Sequence, residues 1–212
     1  LSDEVDSGSW TIMSGVDSPT YATGKFSNAA VFNGNSGIYN SAIPHLYNLS
    51  TFTLEGWFYP TGYGDLWVMG VYDEVGLSLV TGHLVLSGTG SGLTWGQIGS
   101  TGTTEVSLNT WSHIRIVRSG ENFYVYLNGT LEISGALTMR SGAPSTTRYL
   151  SIGSLGVGLE GVVPYTGRVD ELRLLDEALI GDFTPATEPY TVPSGVWKNQ
   201  MIIASPASPA QG

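Results

Sequence analysis

The sequence predicts an all-β fold, an antiparallel sandwich or barrel, and three observations carry that prediction. Short apolar segments recur at regular spacing with turn signals between them. Glycine makes up 29 of the 212 residues, which suits many tight turns and few helices. Segment 52–60 alternates residue by residue, the period of a strand rather than of a helix.

Residues 1–18 are polar, with scattered apolar positions such as Trp10 and Ile12, and read as an opening arm that adds one edge strand. Apolar bursts at 29–32 and 38–39 flank Asn33-Gly34-Asn35, a hairpin signal because Asn and Gly tolerate positive φ. In 52–60, Phe52, Leu54, Gly56 and Phe58 point one way, and Thr53, Glu55, Trp57 and Tyr59 the other. Both faces carry large apolar groups, so this strand belongs inside a sandwich. Strands follow at 66–71, 76–81 and 83–87, with a turn at Thr81-Gly82-His83, and a further one at 94–98 carries Trp95.

Segments 111–118 and 122–127 pair across Ser119-Gly120, and Asn128-Gly129 turns the chain into 130–134, giving a meander. A short strand at 149–153 and a Gly/Val-rich loop at 156–164 precede the closing strand, 168–174. Asp176 is a competent N-cap and Gly181 a competent stop, so 176–180 suits one helical turn. Past Tyr190 the composition shifts, with Pro193, Pro206 and Pro209. The expected organisation is an arm over 1–18, a domain over 19–190, and an extended C-terminal tail over 191–212 that docks elsewhere.

A formal net charge of −10 repels nucleic-acid phosphates and anionic membranes. No apolar run approaches the roughly 20 residues that cross a bilayer. The expectation is no nucleic-acid partner and no membrane insertion. The absence of cysteine excludes disulfides and thiolate metal sites.

Five segments together resemble a known family. They are YATGKFSNAAVFNGNSGIYN, FTLEGWFYP, TWSHIRIVRSGENFYVYLNGTL, LSIGS at 150–154, and YTGRVDELRLLDEALIGDFTPATEPY. Their order and spacing are similar to those of the laminin-G-like, concanavalin A-like lectin/glucanase jelly-roll family, over about 19–190. The closing segment, with Phe183-Thr184-Pro185, resembles those of such domains in bacteriophage tail and virion proteins. The resemblance implies a jelly roll of two antiparallel sheets packed face to face, with rim loops making the contacts. It also implies a non-enzymatic adhesion module on a virion surface, likewise touching host surface glycans or capsid and tail proteins, and assembling as a homo-oligomer. Alternatives are a secreted or cell-surface carbohydrate-binding module and a divergent glycoside hydrolase.

The candidate chemistry follows. Glycosidases need two carboxylates on one face. Asp73-Glu74 and Asp170-Glu171 are adjacent and so turn to opposite faces of a strand, which argues against an enzyme; Glu55 and Glu74 are the residues a divergent hydrolase would use. The histidines, His45, His83 and His113, lie in separate segments, and His113 reads as a packed residue rather than a base. Glycan binding needs aromatic faces with polar neighbours. The candidates are Tyr63, Asp65, Trp67, Trp95 and Tyr165, with Tyr72, Tyr124 and Asn122 behind them; each competes with a plain packing role. Tyr63 and Asp65 stand out because GYGD has no packing pattern. The resemblance also implies a structural calcium held by Asp170 with carbonyls near Gly34, although Ser36-Gly37-Ile38 stands where many relatives carry an aspartate.

Overall fold

The computed structural model describes residues 11–12, 14–40, 50–69, 75–90, 95–139, 150–153, 164–190 and 201–203. Fifteen strands and no helix are found among them: β1 (Thr11–Ile12), β2 (Thr20–Thr23), β3 (Asn28–Asn33), β4 (Gly37–Asn40), β5 (Thr51–Pro60), β6 (Gly64–Met69), β7 (Val75–Val80), β8 (His83–Thr89), β9 (Trp95–Gln97), β10 (Ser112–Ser119), β11 (Asn122–Leu127), β12 (Thr130–Ala136), β13 (Leu150–Gly153), β14 (Thr166–Leu175) and β15 (Met201–Ile203).

They form two antiparallel sheets. One runs β1-β4-β13-β6-β7-β8-β9; the other runs β12-β11-β10-β5-β14-β3-β2 and also carries β15, which pairs β14. The core lies between them, built from alternate residues of each strand, among them Phe32, Leu54, Phe58, Leu77, Leu86, Ile116, Val125 and Ile152. In β5 the expected alternation holds, because Phe52, Leu54 and Phe58 enter the core while Thr53, Glu55 and Trp57 turn outward yet are buried as well. Gly56 sits where a Cβ would come within 3.0 Å of Leu172. That close approach accompanies a bulge in β14 between Asp170 and Arg173, where Glu171 takes a φ of 50°.

Local turn chemistry fixes the hairpins. Thr81-Gly82 (φ 49° and 88°) joins β7 to β8, and Asn128-Gly129 (φ 49° and 90°) joins β11 to β12. The same signature at Asn33-Gly34 does something else. β3 pairs with β2 and β14 while β4 pairs with β1 and β13, so this turn passes the chain between sheets and is not a hairpin. Residues 11–12 do supply an edge strand, on β4.

The segment after β14 also differs from expectation. Residues 176–180 are not helical. Thr53 Oγ1 donates to the Glu177 carbonyl (2.7 Å) and accepts from the Leu179 amide (3.0 Å), so the sheet satisfies groups a helical turn would have paired. The chain then crosses the outer face of the eight-stranded sheet as a strap. Along it the Gly181 amide donates to Tyr126 Oη (2.9 Å), the Phe183 amide to the Gly129 carbonyl (3.0 Å) and the Tyr190 amide to Glu171 Oε2 (2.7 Å). Of the expected departing tail, Met201–Ile203 instead pairs with Leu172–Leu174 of the same chain, beyond the end of β3.

Candidate functional site

The two sheets present outer faces of different character. On the eight-stranded sheet, Glu55 is wholly buried and stands in register between Arg115 of β10 and Arg173 of β14. Arg115 Nε donates to Glu55 Oε2 and Arg173 Nε to Oε1, both at 2.6 Å. The strap closes over this group. The Phe183 ring lies 3.3 Å from the Arg115 guanidinium carbon and the Tyr190 ring 3.7 Å from that of Arg173. His113 Nε2 is 2.9 Å from Tyr190 Oη and 3.6 Å from Glu55 Oε2. Burial holds the His113 imidazole down to about 4; the Glu55 charge opposes that, and Arg115 and Arg173 add to it. His113 is therefore neutral at pH 7 and packed, as its place on a strand suggests. Burial also pushes the Tyr190 phenol upward.

Glu55 has no route to a substrate here. Its two oxygens hold two arginines, and aromatic rings cap both guanidiniums. Glu74, the other carboxylate of the hydrolase alternative, lies outside the described residues, as do Tyr72, Asp73 and His45.

The outer face of the seven-stranded sheet is buried at its centre, at Ser151 and Gly76, and exposed at β9. Its registers align Tyr39, Ser151, Val68, Gly76, Ser87 and Gln97 in one row across six strands. In a neighbouring row Asp65 Oδ1 accepts a short hydrogen bond from Ser78 Oγ. Tyr63, in the loop before β6, is 45 % exposed, and Trp95, paired with Thr89 at the β9 edge, is 46 % exposed.

The expected sugar-binding residues divide on this geometry. Tyr63 and Asp65 stand at the start of β6, the central strand of this sheet. Trp95 stands on the edge strand β9, three strands across and four residues along from Asp65, about 20 Å away by strand spacing and rise. The backbone of Trp67 is in register with Leu77 and Ile152. Tyr165 is a correction, being fully buried. Its ring meets Phe32 (6.1 Å) and Phe58 (6.2 Å), its hydroxyl donates to the Arg168 carbonyl (2.9 Å), and burial pushes its ionisation far upward. It is part of the core and cannot meet a ligand. Tyr39, Ser78 and Gln97 also lie on the outer face of the seven-stranded sheet, which only the strand pairing shows.

The calcium set is also not assembled. Val169 pairs with Ala30 and Thr166 with Asn33, so Asp170 and Gly34 lie toward opposite ends of β3, about 16 Å apart along the strand. Asp170 is spent on backbone. Its Oδ2 accepts from the amides of Lys25 (2.8 Å) and Phe26 (3.2 Å), and its Oδ1 from that of Glu171 (3.0 Å). Burial raises its pKa despite these bonds. A carboxylate ringed by N–H donors does not suit a cation that wants six to eight oxygens. Among the described residues no three His, Cys, Asp or Glu side chains gather into a metal-binding group.

A family model described as laminin G, concanavalin A-like lectin/glucanases superfamily, matches residues 32–182. The chain belongs to this superfamily. As a concanavalin A-like domain it resembles several solved structures. Domain 4 of AbnA, a GH43 extracellular arabinanase from Geobacillus stearothermophilus solved with arabinotriose, superposes with a TM-score of 0.61 at 24 % identity, over 81 % of this chain and 84 % of that one. The binding domain of Paraclostridial Mosquitocidal Protein 1 gives 0.61 at 19 % identity, over 82 % of this chain but only 45 % of that one. The carbohydrate-binding module CBM66 from Bacillus subtilis gives 0.50 at 19 % identity, over 78 % and 94 %. At these identities the likeness establishes the concanavalin A-like fold alone. No curated protein matches the chain in sequence.

Proposed function

We propose that this chain is a non-catalytic carbohydrate-binding module whose seven-stranded face receives a chain-like glycan. The inequality of the two outer faces carries this reading. Over its central carboxylate the eight-stranded sheet is sealed by the strap, whereas the seven-stranded sheet carries the exposed aromatics Tyr63, before β6, and Trp95, on β9. Tyr63 and Trp95 are too far apart for one sugar ring to touch both, so the face suits an oligosaccharide laid across the strands. Membership of a lectin/glucanase superfamily supports the same reading.

A glycan array followed by calorimetric titration of the best ligand tests it. Tyr63→Ala and Trp95→Ala each weaken binding by roughly five- to tenfold, about 1–1.4 kcal/mol. Tyr165→Phe leaves affinity unchanged while lowering stability by about 1 kcal/mol, since it removes only a core hydroxyl. Binding that survives the double Tyr63→Ala, Trp95→Ala variant, or no binding to any glycan, defeats the reading.

The finer reading sets this module on a virion surface as a homo-oligomer, touching host surface glycans or neighbouring capsid and tail proteins. Its support is the closing segment 165–190, with Phe183-Thr184-Pro185, which resembles those of bacteriophage virion domains. A secreted or cell-surface module has the same site chemistry. An electron-microscopic reconstruction of the native particle separates the two, since a freely secreted protein has no fixed position on a shell or fibre.

A further inference from the structure

The strap covers only part of the eight-stranded sheet. It lies over Thr53, Glu55 and His113, whereas Tyr59, Trp111 and Arg168, farther along the same face, are half-buried. These three stand in one line. Tyr59 pairs with Arg168, and the Phe58–Ser112 register sets Trp111 opposite Tyr59. The rings of Tyr59 and Trp111 are 5.4 Å apart at 57°, and the Arg168 guanidinium carbon lies 5.0 Å from the Tyr59 centroid. Two residues along β5 on the same face is Trp57, with Lys25 Nζ 4.2 Å above its ring.

Charge singles out this patch. Five described residues are lysine or arginine. Arg115 and Arg173 are held on Glu55, and Arg118 is buried and donates to the Gly120 carbonyl. The other two, Lys25 and Arg168, both stand here, on a chain of net charge −10. A second observation is independent of charge. Trp57 is 7 % exposed, yet its indole N–H has no acceptor among the described residues. Buried donors are rarely left so.

The patch is also pre-set. Arg168 Nη1 donates to the Thr23 carbonyl (2.9 Å), Asp170 accepts from the amides of Lys25 and Phe26, and Phe26 packs edge-on against Trp57 (6.1 Å). The turn that carries Lys25 is thus tied to β14 before any ligand arrives.

We propose that this cation-and-aromatic platform is a second binding site, for a carboxylate-bearing sugar residue of an acidic glycan. The proposal takes its ligand class from the glycan-binding reading and its residues from the other sheet, so the two fail separately. Each part of such a sugar has a partner. The ring C–H surface lies on Trp111 and Tyr59, the carboxylate meets the planar guanidinium of Arg168 with Lys25 beside it, and a sugar oxygen takes the Trp57 N–H once Lys25 swings aside. The acidic surface elsewhere repels the same ligand and so sharpens the preference for this patch.

The test is calorimetric titration of the full chain with an oligogalacturonate and with its methyl-esterified form, which lacks the charge and carries one extra methyl per sugar. The acid form binds roughly tenfold tighter, the size of one charge-assisted contact, and salt erodes the difference. The preference disappears in Arg168→Gln and shrinks in Lys25→Gln, an exposed change that leaves the fold intact. Trp111→Ala weakens both forms, and Trp95→Ala leaves the ratio unchanged. Equal binding of acid and ester, no binding of either, or a preference kept in the Arg168→Gln, Lys25→Gln double variant overturns the proposal. So does a preference abolished by Tyr63→Ala or Trp95→Ala, which moves the site to the seven-stranded face.

Discussion

Glu55 and Arg115 face each other directly across β5 and β10, with Arg115 Nε 2.6 Å from Glu55 Oε2 and the carboxylate wholly out of water. Arg173 repeats the contact from β14 on the other oxygen. Glu55 and Arg115 are buried and Arg173 is partly so, and the three hold as a set, because removing the carboxylate leaves the arginines desolvated and unpaired. Glu55→Gln keeps the shape and strands two arginines under the strap. It should lower unfolding free energy by about 3–5 kcal/mol, measured by urea denaturation. A loss below about 1 kcal/mol would mean that water reaches the arginines and that the strap does not seal them. Glycan affinity on the seven-stranded face should not change in the folded variant.

The same enclosure gives a pH dependence. In the unfolded chain His113 takes up a proton near its ordinary 6.5; in the folded one burial delays that to about 4. Below 6.5 the unfolded state therefore binds the extra proton first. Stability is full above that value and falls as pH drops toward 4, the loss approaching about 3 kcal/mol. Carboxylates titrate in the lower part of the same range, so the informative comparison is with His113→Gln, whose denaturation midpoint should be flatter between pH 6.5 and 5. Parallel pH profiles for the two proteins would show that His113 does not ionise on unfolding.

What the sequence discloses and what it hides follow the distance over which each feature is decided. The Asn128-Gly129 and Thr81-Gly82 hairpins were legible because their conformation is set within four residues. Asn33-Gly34 carries the same signature and misleads, since the partners of its flanking strands, β14 and β13, lie more than a hundred residues downstream. Asp176 reads as a helix cap, but Thr53 from β5 supplies the competing hydrogen bonds. At the site, Tyr63 is recognisable because GYGD has no packing pattern, whereas Trp95 sits on a strand and its exposure shows only in the fold. Tyr165 is not legible as core, because its neighbours Phe32 and Phe58 come from two other strands. The registers that separate Gly34 from Asp170 and bring Trp111 to Tyr59 are likewise non-local.

The strap rests on one glycine more than on any side chain. At Gly129 a Cβ would stand 1.8 Å from the Phe183 carbonyl oxygen, and its φ of +90° is itself unfavourable for other residues. Gly129→Ala therefore meets a collision and a backbone penalty, and relief requires Phe183 to lift away from Arg115 and His113. Gly120 supplies the matched control, since its φ of +63° is also left-handed and its Cβ would meet nothing within 4 Å. Gly120→Ala should cost about 1 kcal/mol from backbone strain alone, and Gly129→Ala about 1–3 kcal/mol more. Hydrogen exchange locates the difference. In Gly129→Ala the amides of Leu179, Gly181 and Phe183, which bond to Thr53, Tyr126 and Gly129, should lose protection while those of β7 and β8 keep theirs. Equal losses of stability in the two variants, with the strap amides still protected, would show that Phe183 yields without cost and that the strap is held elsewhere.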